Sequence, residues 1–570
     1  MRNDAVVCTE FKHYVLTHEL IPAGPIPTAF DPDGVYPYLS YVETSSRPVP
    51  KQYGFLVLEN AKVRVTICPD RGGRVTSLIL KNSSREVLYA PEVIRPTRIL
   101  PRFGFVAGGI EVSFPISHSP TQNDPVLWRV DRTPERVYVT CGERELRFGM
   151  QWSVEYSLGA DDPFLTQRTV FHNPGTSAHP WMSWSNAAVP CAPDTQYHFP
   201  EGQVLSHAST LTVLASGPRQ ESDIQEMTGY FWKTKEGNAF GAFTPSLGIG
   251  LYHVADERVA PGMKLWSYGV GKDRAWGGGN YAEIQGGPIR DQATKLELPP
   301  QETRWHVEFW IPADRALNIH ALAIPDAKVR PVSDVPLFDW ARPDEVKVWQ
   351  DLVRAHHENG TPPHAPDSDQ CLWAPSGMED LGAAFEWAAR TSRDPETERW
   401  RFYHGTWLAG CGRKREAIAV LSAARWGVAR ALLARLLKTD GDIEGAANAL
   451  RSIQEPSLQR HPQVVALRDE VLRSLGTDTL GEREQWLDRV DALPDERIIE
   501  RRVQLFIDRG EYHPARHLLL STPFQKVHQR YVRTALWKQL CEALREPCLP
   551  VPPELGEDQL AEFGAYREFS

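Results

Sequence analysis

Glu283-Ile284-Gln285 sets a carboxylate and an amide two residues apart, so on an extended strand both face one side. A carboxylate there can accept a proton while the amide holds a hydroxyl. The run around it, KLWSYGVGKDRAWGGGNYAEIQGGP (264–288), interleaves Lys264, Trp266, Trp276 and Tyr281 with glycines, and backbone and rings can therefore crowd a ligand. Earlier, GFVAGGIEVSFPISHSPTQNDPV (104–126) flanks Glu111 with apolar residues and follows it with His118 in a polar loop. Apolar flanks predict a restricted space, where burial raises a carboxyl and keeps it a proton donor. The pair then reads as Glu111 acid and Glu283 base.

Two further segments offer binding groups. ICPDRGGRV (67–75) carries Arg71 and Arg74 around a Gly-Gly turn, and guanidinium forks suit hydroxyls or a carboxylate. HPWMSWSNAAVPCAPDTQYHFP (179–200) collects Trp184, Asn186 and His198, beside Gln196 and Tyr197, as stacking and hydrogen-bonding groups. Each also has a plainer reading: a solvated hairpin for the arginines, an edge strand for Glu111, core packing for the rings.

The elements that must position these groups change near residue 330. Before it, segments such as YGFLVLENAKVRVTICPD (53–70) alternate apolar with polar residues between Gly, Pro, Asn and Asp turns, the pattern of a β-sandwich or barrel. Beyond it, runs such as GVARALLARLLKTDGDIEGAANALRSI (427–453) repeat apolar residues at helical spacing. Gly412…Ala417, Gly441…Ala446 and Gly510…Ala515 form a loose repeat whose second gap is about twice the 34-residue period of TPR helix pairs. We expect a mostly β fold plus α: a large antiparallel β-sandwich followed by a C-terminal TPR-like helical-hairpin domain. The expected boundaries are an extension packing on the sandwich (1–48), the sandwich carrying the site (49–330), a linker with a Pro/His-rich loop (331–378) and helical repeats (379–570).

Composition bounds the function classes. The 570 residues carry 63 Lys+Arg against 73 Asp+Glu, a net charge of −10, which argues against a phosphate-tracking nucleic-acid binder. The amino terminus lacks the apolar run of a signal peptide, no window reads as a membrane span, and the eight cysteines form no C-x-x-C pair. These features predict a cytoplasmic, reduced protein with no nucleic-acid or membrane partner. The 18 tryptophans divide evenly about residue 330, so most read as packing. Trp184, Trp266 and Trp276 remain as the rings a sugar would touch.

In order and content, LEN (58–60), PDRGGRV, GGIEVSFPISHSPT, WSNAAV with the later TQYHFP, HVADERVAPGMKLWSYG and YAEIQGG resemble a bacterial family of galactose-mutarotase-like β-sandwiches commonly fused to TPR repeats. The resemblance covers roughly residues 50–320 and implies that fold. Through the wider superfamily it also implies a general base at Glu283, in a Glu-x-Gln setting. The acid histidine that aldose epimerases carry has no counterpart in Trp184-Ser185-Asn186-Ala187-Ala188. His118 or His198 would have to substitute.

Three readings follow. One is a glycoside hydrolase with Glu111 and Glu283 as the carboxylate pair. The second is an epimerase of aldoses or sugar derivatives, with Glu283 as base and a histidine as acid. The third is a non-catalytic scaffold that holds a mono- or oligosaccharide on the sandwich and a partner, or a second copy, on the helices. Substrate-binding residues are expected at Arg71, Arg74, His118, Trp184, Asn186, His198, Lys264, Trp266, Trp276, Tyr281 and Gln285. No cofactor is demanded, and no metal motif such as H-x-x-x-H appears; a cation on Glu283 with His198 or His253 is the one conceivable metal site.

Overall fold

Strand and helix patterning separate in the fold as they do in the chain. The computed structural model describes residues 6–555 apart from 27–29, 32–33, 36, 40, 99–102, 117, 119–122, 207–209, 216, 225–227, 238, 268–279, 292–293, 368–373, 491–494 and 523–529. Two compact units form. One holds the described residues of 6–19, 44–98 and 103–342; the other holds those of 20–43 and 343–555. Within the stretch 1–48 the strand Val7–Thr17 pairs along its full length with Val49–Glu59, whereas Leu20–Glu43 groups with the helices.

Among the described residues the first unit is a sandwich of a thirteen-stranded and a nine-stranded sheet, with antiparallel neighbours throughout except one short parallel pairing at an edge. Six strands of the larger sheet concern the site: β1 (Arg74–Leu80), β2 (Ile110–Ser113), β3 (Trp184–Pro190), β4 (Thr228–Lys235), β5 (Gly262–Ser267) and β6 (Tyr281–Gly287). In space they run β1-β2-β3-β6-β5-β4.

Their register sorts the side chains. Residues paired across neighbouring strands share a face, and successive residues alternate between faces. Glu111 pairs with Asn186, Asn186 with Gln285, Gln285 with Lys264, and Glu283 with Trp266. All therefore stand on one face. The alternate residues Ile110, Val112, Ala187, Ile284 and Leu265 face the other way, into the apolar core between the sheets. Burying those side chains at about 25 cal/mol per Å² of apolar surface is what fixes this register, because a one-residue slip would turn every one of them out.

The second unit is a series of helical hairpins, among them Leu381–Thr391 with Glu396–Gly410, Gly427–Asp440 with Ile443–Arg451, and Glu496–Asp508 with Tyr512–Ser521. The repeat glycines Gly412, Gly441 and Gly510 all take positive φ in inter-helix turns, and Ala417, Ala446 and Ala515 are fully buried. The copy missing from the sequence pattern is the hairpin of Pro462–Leu475 and Leu480–Leu487, where Gly476 turns at φ 108 and Gly481 stands in the alanine's place. The fold expectation, a large antiparallel sandwich followed by TPR-like hairpins, holds. Among the described residues no helix is long and apolar enough to cross a membrane.

Candidate active site

The polar face of β1-β2-β3-β6-β5 gathers two linked groups of side chains. The first is a chain of three. Arg74 donates from Nη2 to Glu111 Oε2 at 3.0 Å, and the imidazole Nδ1 of His118 lies 3.0 Å from Glu111 Oε1. Arg74 also donates from Nη1 to the carbonyls of Val106 and Gly108. This close approach depends on glycine: Gly109 has φ 72, and a Cβ there would lie 2.2 Å from the Val75 carbonyl and 3.2 Å from Arg74 Cγ. His118 itself sits at φ 55 with its ring edge-on to Phe105, centroids 4.9 Å apart.

These contacts weigh against the expected acid role of Glu111. Its carboxyl is buried, which alone would push it up, but the neighbouring His118 and Arg74 outweigh that and hold it below the usual carboxylate range. An ionised carboxylate only accepts, so His118 Nδ1–H is the donor. The apolar flanks Ile110 and Val112 misled because they point into the core, away from Glu111.

The second group centres on Glu283. Its Oε2 accepts from Asn186 Nδ2 at 3.0 Å and from Gln285 Nε2 at 2.9 Å. Burial pushes its carboxyl up, partly opposed by Lys264 and His118 and reinforced by the negative charge of Glu111. The two carboxylates therefore share one electrostatic environment, and their tendencies are opposite. Lys264 is 3% exposed, with Nζ 4.8 Å from the Phe231 ring centre; burial pushes it down to about 8 against the pull of Glu283 and Glu111. The Asn186 Oδ1 and Trp184 Nε1 atoms are buried without hydrogen-bond partners.

Aromatic rings frame the face. Trp184 packs against Phe231 at 5.9 Å, Trp266 against Tyr281 at 5.6 Å, and Tyr281 stacks on Tyr89 at 4.7 Å. Arg71 lies in the turn Pro69–Arg71 just before β1, buried beside Arg74. Of the residues expected from sequence, Arg74, Glu111, His118, Trp184, Asn186, Lys264, Trp266, Tyr281, Glu283 and Gln285 are thus brought to one region, with Arg71 at its border. His198 is not. It belongs to the smaller sheet, where Nδ1 meets Tyr252 Oη at 3.0 Å and Nε2 meets Gln196 Oε1 at 3.3 Å. Trp276 lies outside the described residues.

Sequence reading missed Phe231 and Tyr89, which stand in none of the quoted motifs, and Phe105, which lies within 104–126 as one of its apolar residues. It also missed a buried network behind the site. On the core side, Glu308 takes His253 Nε2 at 2.9 Å, His306 Nε2 at 3.2 Å, Gln167 Nε2 at 2.9 Å and the Ser185 hydroxyl. His253 is therefore engaged with Glu308, and neither it nor His198 stands with Glu283 as the conceivable cation site required. Among the described residues no group of three or more His, Cys, Asp or Glu side chains is arranged to hold a metal ion.

A cavity of about 540 Å³ opens in the helical unit between Lys438, Glu470, Arg473, Arg483, Arg501 and Asp508. Its charges close on one another: Lys438 on Glu470, Arg473 and Arg483 on Asp508, Arg483 and Arg501 on Asp469.

Comparison with known proteins matches a family described as a domain of unknown function, DUF5107, over residues 30–313. A second, described as a C-terminal domain, matches residues 349–540. Among solved structures the chain is similar to a TPR-domain containing protein from Parabacteroides distasonis, with 58% identity, 97% of this chain and 98% of that one covered, and a TM-score of 0.93. It is distantly similar to a galactose mutarotase-like protein from Clostridium acetobutylicum, with 13% identity, 46% and 95% coverage and a TM-score of 0.36. A galactose mutarotase related enzyme from Lactobacillus acidophilus gives 12% identity, 45% and 97% coverage and a TM-score of 0.33.

Proposed function

The chain belongs to the family of the Parabacteroides distasonis TPR-domain containing protein, and from that premise we propose that its sandwich is an acid–base enzyme acting on a saccharide, with epimerisation at the anomeric carbon as its reaction. The observation that carries this reading is the division of labour on one sheet face. Glu283 is buried, anchored through Oε2 by Asn186 and Gln285, and raised above the ordinary carboxylate value by that burial, which suits a general base. His118 is oriented through Nδ1 by an ionised Glu111 that Arg74 holds in place.

In this reaction Glu283 takes the proton of the anomeric hydroxyl while His118 Nε2 gives one to the ring oxygen. The C1–O5 bond breaks, the carbonyl forms, and rotation about C1–C2 exposes its other face. Ring closure returns both protons. Glu111 is a positioning residue here, and the ring of Trp266 supplies an apolar face for the sugar.

A second reading, glycosidic cleavage, draws on the opposite tendencies of the two carboxyls, but with roles exchanged from the sequence expectation: Glu283 as proton donor and Glu111 as the ionised partner. Both oxygens of Glu111 are already engaged, by Arg74 and His118, which favours epimerisation. Polarimetry and NMR of freshly dissolved aldoses test the first reading, and release of reducing ends from oligosaccharides tests the second. Anomeric exchange that runs no faster than in buffer overturns the epimerase. The helical unit is the surface proposed for a protein partner or a second copy.

A further inference from the structure

Arg71 is 7% exposed, and its Nε and Nη2 atoms are buried with no hydrogen-bond partner. Its charged neighbour is another cation, Arg74, whose own guanidinium is committed to Glu111 and two backbone carbonyls. Cys68 and Tyr53 are the other groups it senses, and no carboxylate is among them. A guanidinium in that position is costly unless an anion completes it. Burial, and then Arg74, push it down to about 10, the direction an unpaired buried cation takes.

A second cation is also incompletely matched: the Lys264 ammonium rests over the Phe231 ring and accounts for none of the hydrogen bonds at Glu283. Arg71, Arg74 and Lys264 thus stand against Glu111 and Glu283, a surplus of positive charge before His118 is counted. Nε and Nη2 form one edge of the guanidinium, with parallel N–H bonds that match the two oxygens of a planar carboxylate.

We propose that the saccharide taken by this site carries a carboxylate, a uronate or related sugar acid, and that the Nε/Nη2 edge of Arg71 binds it. The proposal rests on the saccharide reading above. It adds a substrate class which that reading leaves open.

The test is calorimetric titration of the full chain with D-glucuronate and D-galacturonate, with D-glucose and D-galactose as neutral counterparts, and with the corresponding 6-phosphates. Uronates should bind more tightly than the neutral sugars. Arg71→Gln should weaken uronate binding about ten- to a hundredfold and neutral-sugar binding much less. Arg71→Lys, which keeps the charge and loses the edge, should fall between. If Arg71→Gln fails to fold by circular dichroism, Arg71→Lys carries the comparison.

Equal affinity for neutral sugars and uronates, or a uronate preference that survives both variants, overturns the carboxylate and leaves the saccharide reading intact. A 6-phosphate preference lost with Arg71 identifies phosphate as the anion and overturns it too. Absence of binding in every arm also overturns it, while anomeric exchange of the neutral aldoses separately decides the saccharide reading.

Discussion

Asn186 donates to Glu283 at 3.0 Å from a strand position paired directly with Glu111. One amide thereby stands between the two carboxylates that sequence reading had set apart as acid and base. Its register on β3 is what brings segments some 170 residues apart in the chain onto a common surface.

Replacing Glu283 by Gln keeps the shape of the side chain and removes the base. Anomeric exchange should fall by about 10²- to 10⁴-fold, with the denaturation midpoint little changed. Line-shape or saturation-transfer NMR on an aldose measures the first and urea titration the second. A variant that retains full exchange would remove Glu283 from the mechanism.

Arg74→Met strands a buried carboxylate and uncaps the Val106 and Gly108 carbonyls. The expected cost is about 3–5 kcal/mol. Adding Glu111→Gln should recover part of it, since the double variant no longer buries an unmatched charge. Denaturant unfolding of both variants checks this, and a double variant as unstable as the sum of the two singles contradicts the pairing.

Lys264 gives a pH signature. In the folded chain burial pushes it down to about 8, whereas the unfolded chain keeps the ordinary value near 10.5. Between those values the unfolded chain binds more protons, so this residue makes stability rise with pH; below about 8 the cost of the buried ammonium is fully present. Relative to Lys264→Met, the wild type should gain up to about 3 kcal/mol across that window. Urea unfolding from pH 7 to 10.5 measures it. A constant difference between the two proteins would show that Lys264 does not titrate there.

Gly286 faces the core side of β6, where a Cβ would come within 2.6 Å of His253 Nε2 and 2.8 Å of a Glu308 oxygen. Gly286→Ala should therefore cost about 1–3 kcal/mol and reduce turnover, because Gln285 precedes it on the strand and Ser185 and Met263 pair with it. Thermal unfolding together with exchange rates tests this. Unchanged stability would mean that the His253–Glu308 contact yields freely.

Much of this was legible locally. Alternation with a period of two placed Glu283 with Gln285, and Gly-Gly punctuation marked the turns next to Arg74 and Glu111. The linear chain could not show which strands become neighbours, because register is settled by the whole core at once. For that reason His198 looked as good a candidate as His118, although its strand joins the other sheet. The surroundings of Glu111 were hidden for a related reason: its sequence neighbours describe the opposite face, while its polar partners come from β1 and from the loop bearing His118. The helical repeat was half visible for a simpler reason, the glycine at 481 in place of alanine.

β3 carries one last consequence. Trp184 and Asn186 stand on the face that carries Glu283, and Ser185 between them is bound to Glu308 on the other side. The strand carries a polar network on each of its two faces, and a change in the inner one reaches the outer one through the backbone that Ser185 and Asn186 share. Altered substrate preference in relatives should accordingly appear as substitutions at Ser185, His253 or Glu308 as often as at residues that meet the sugar.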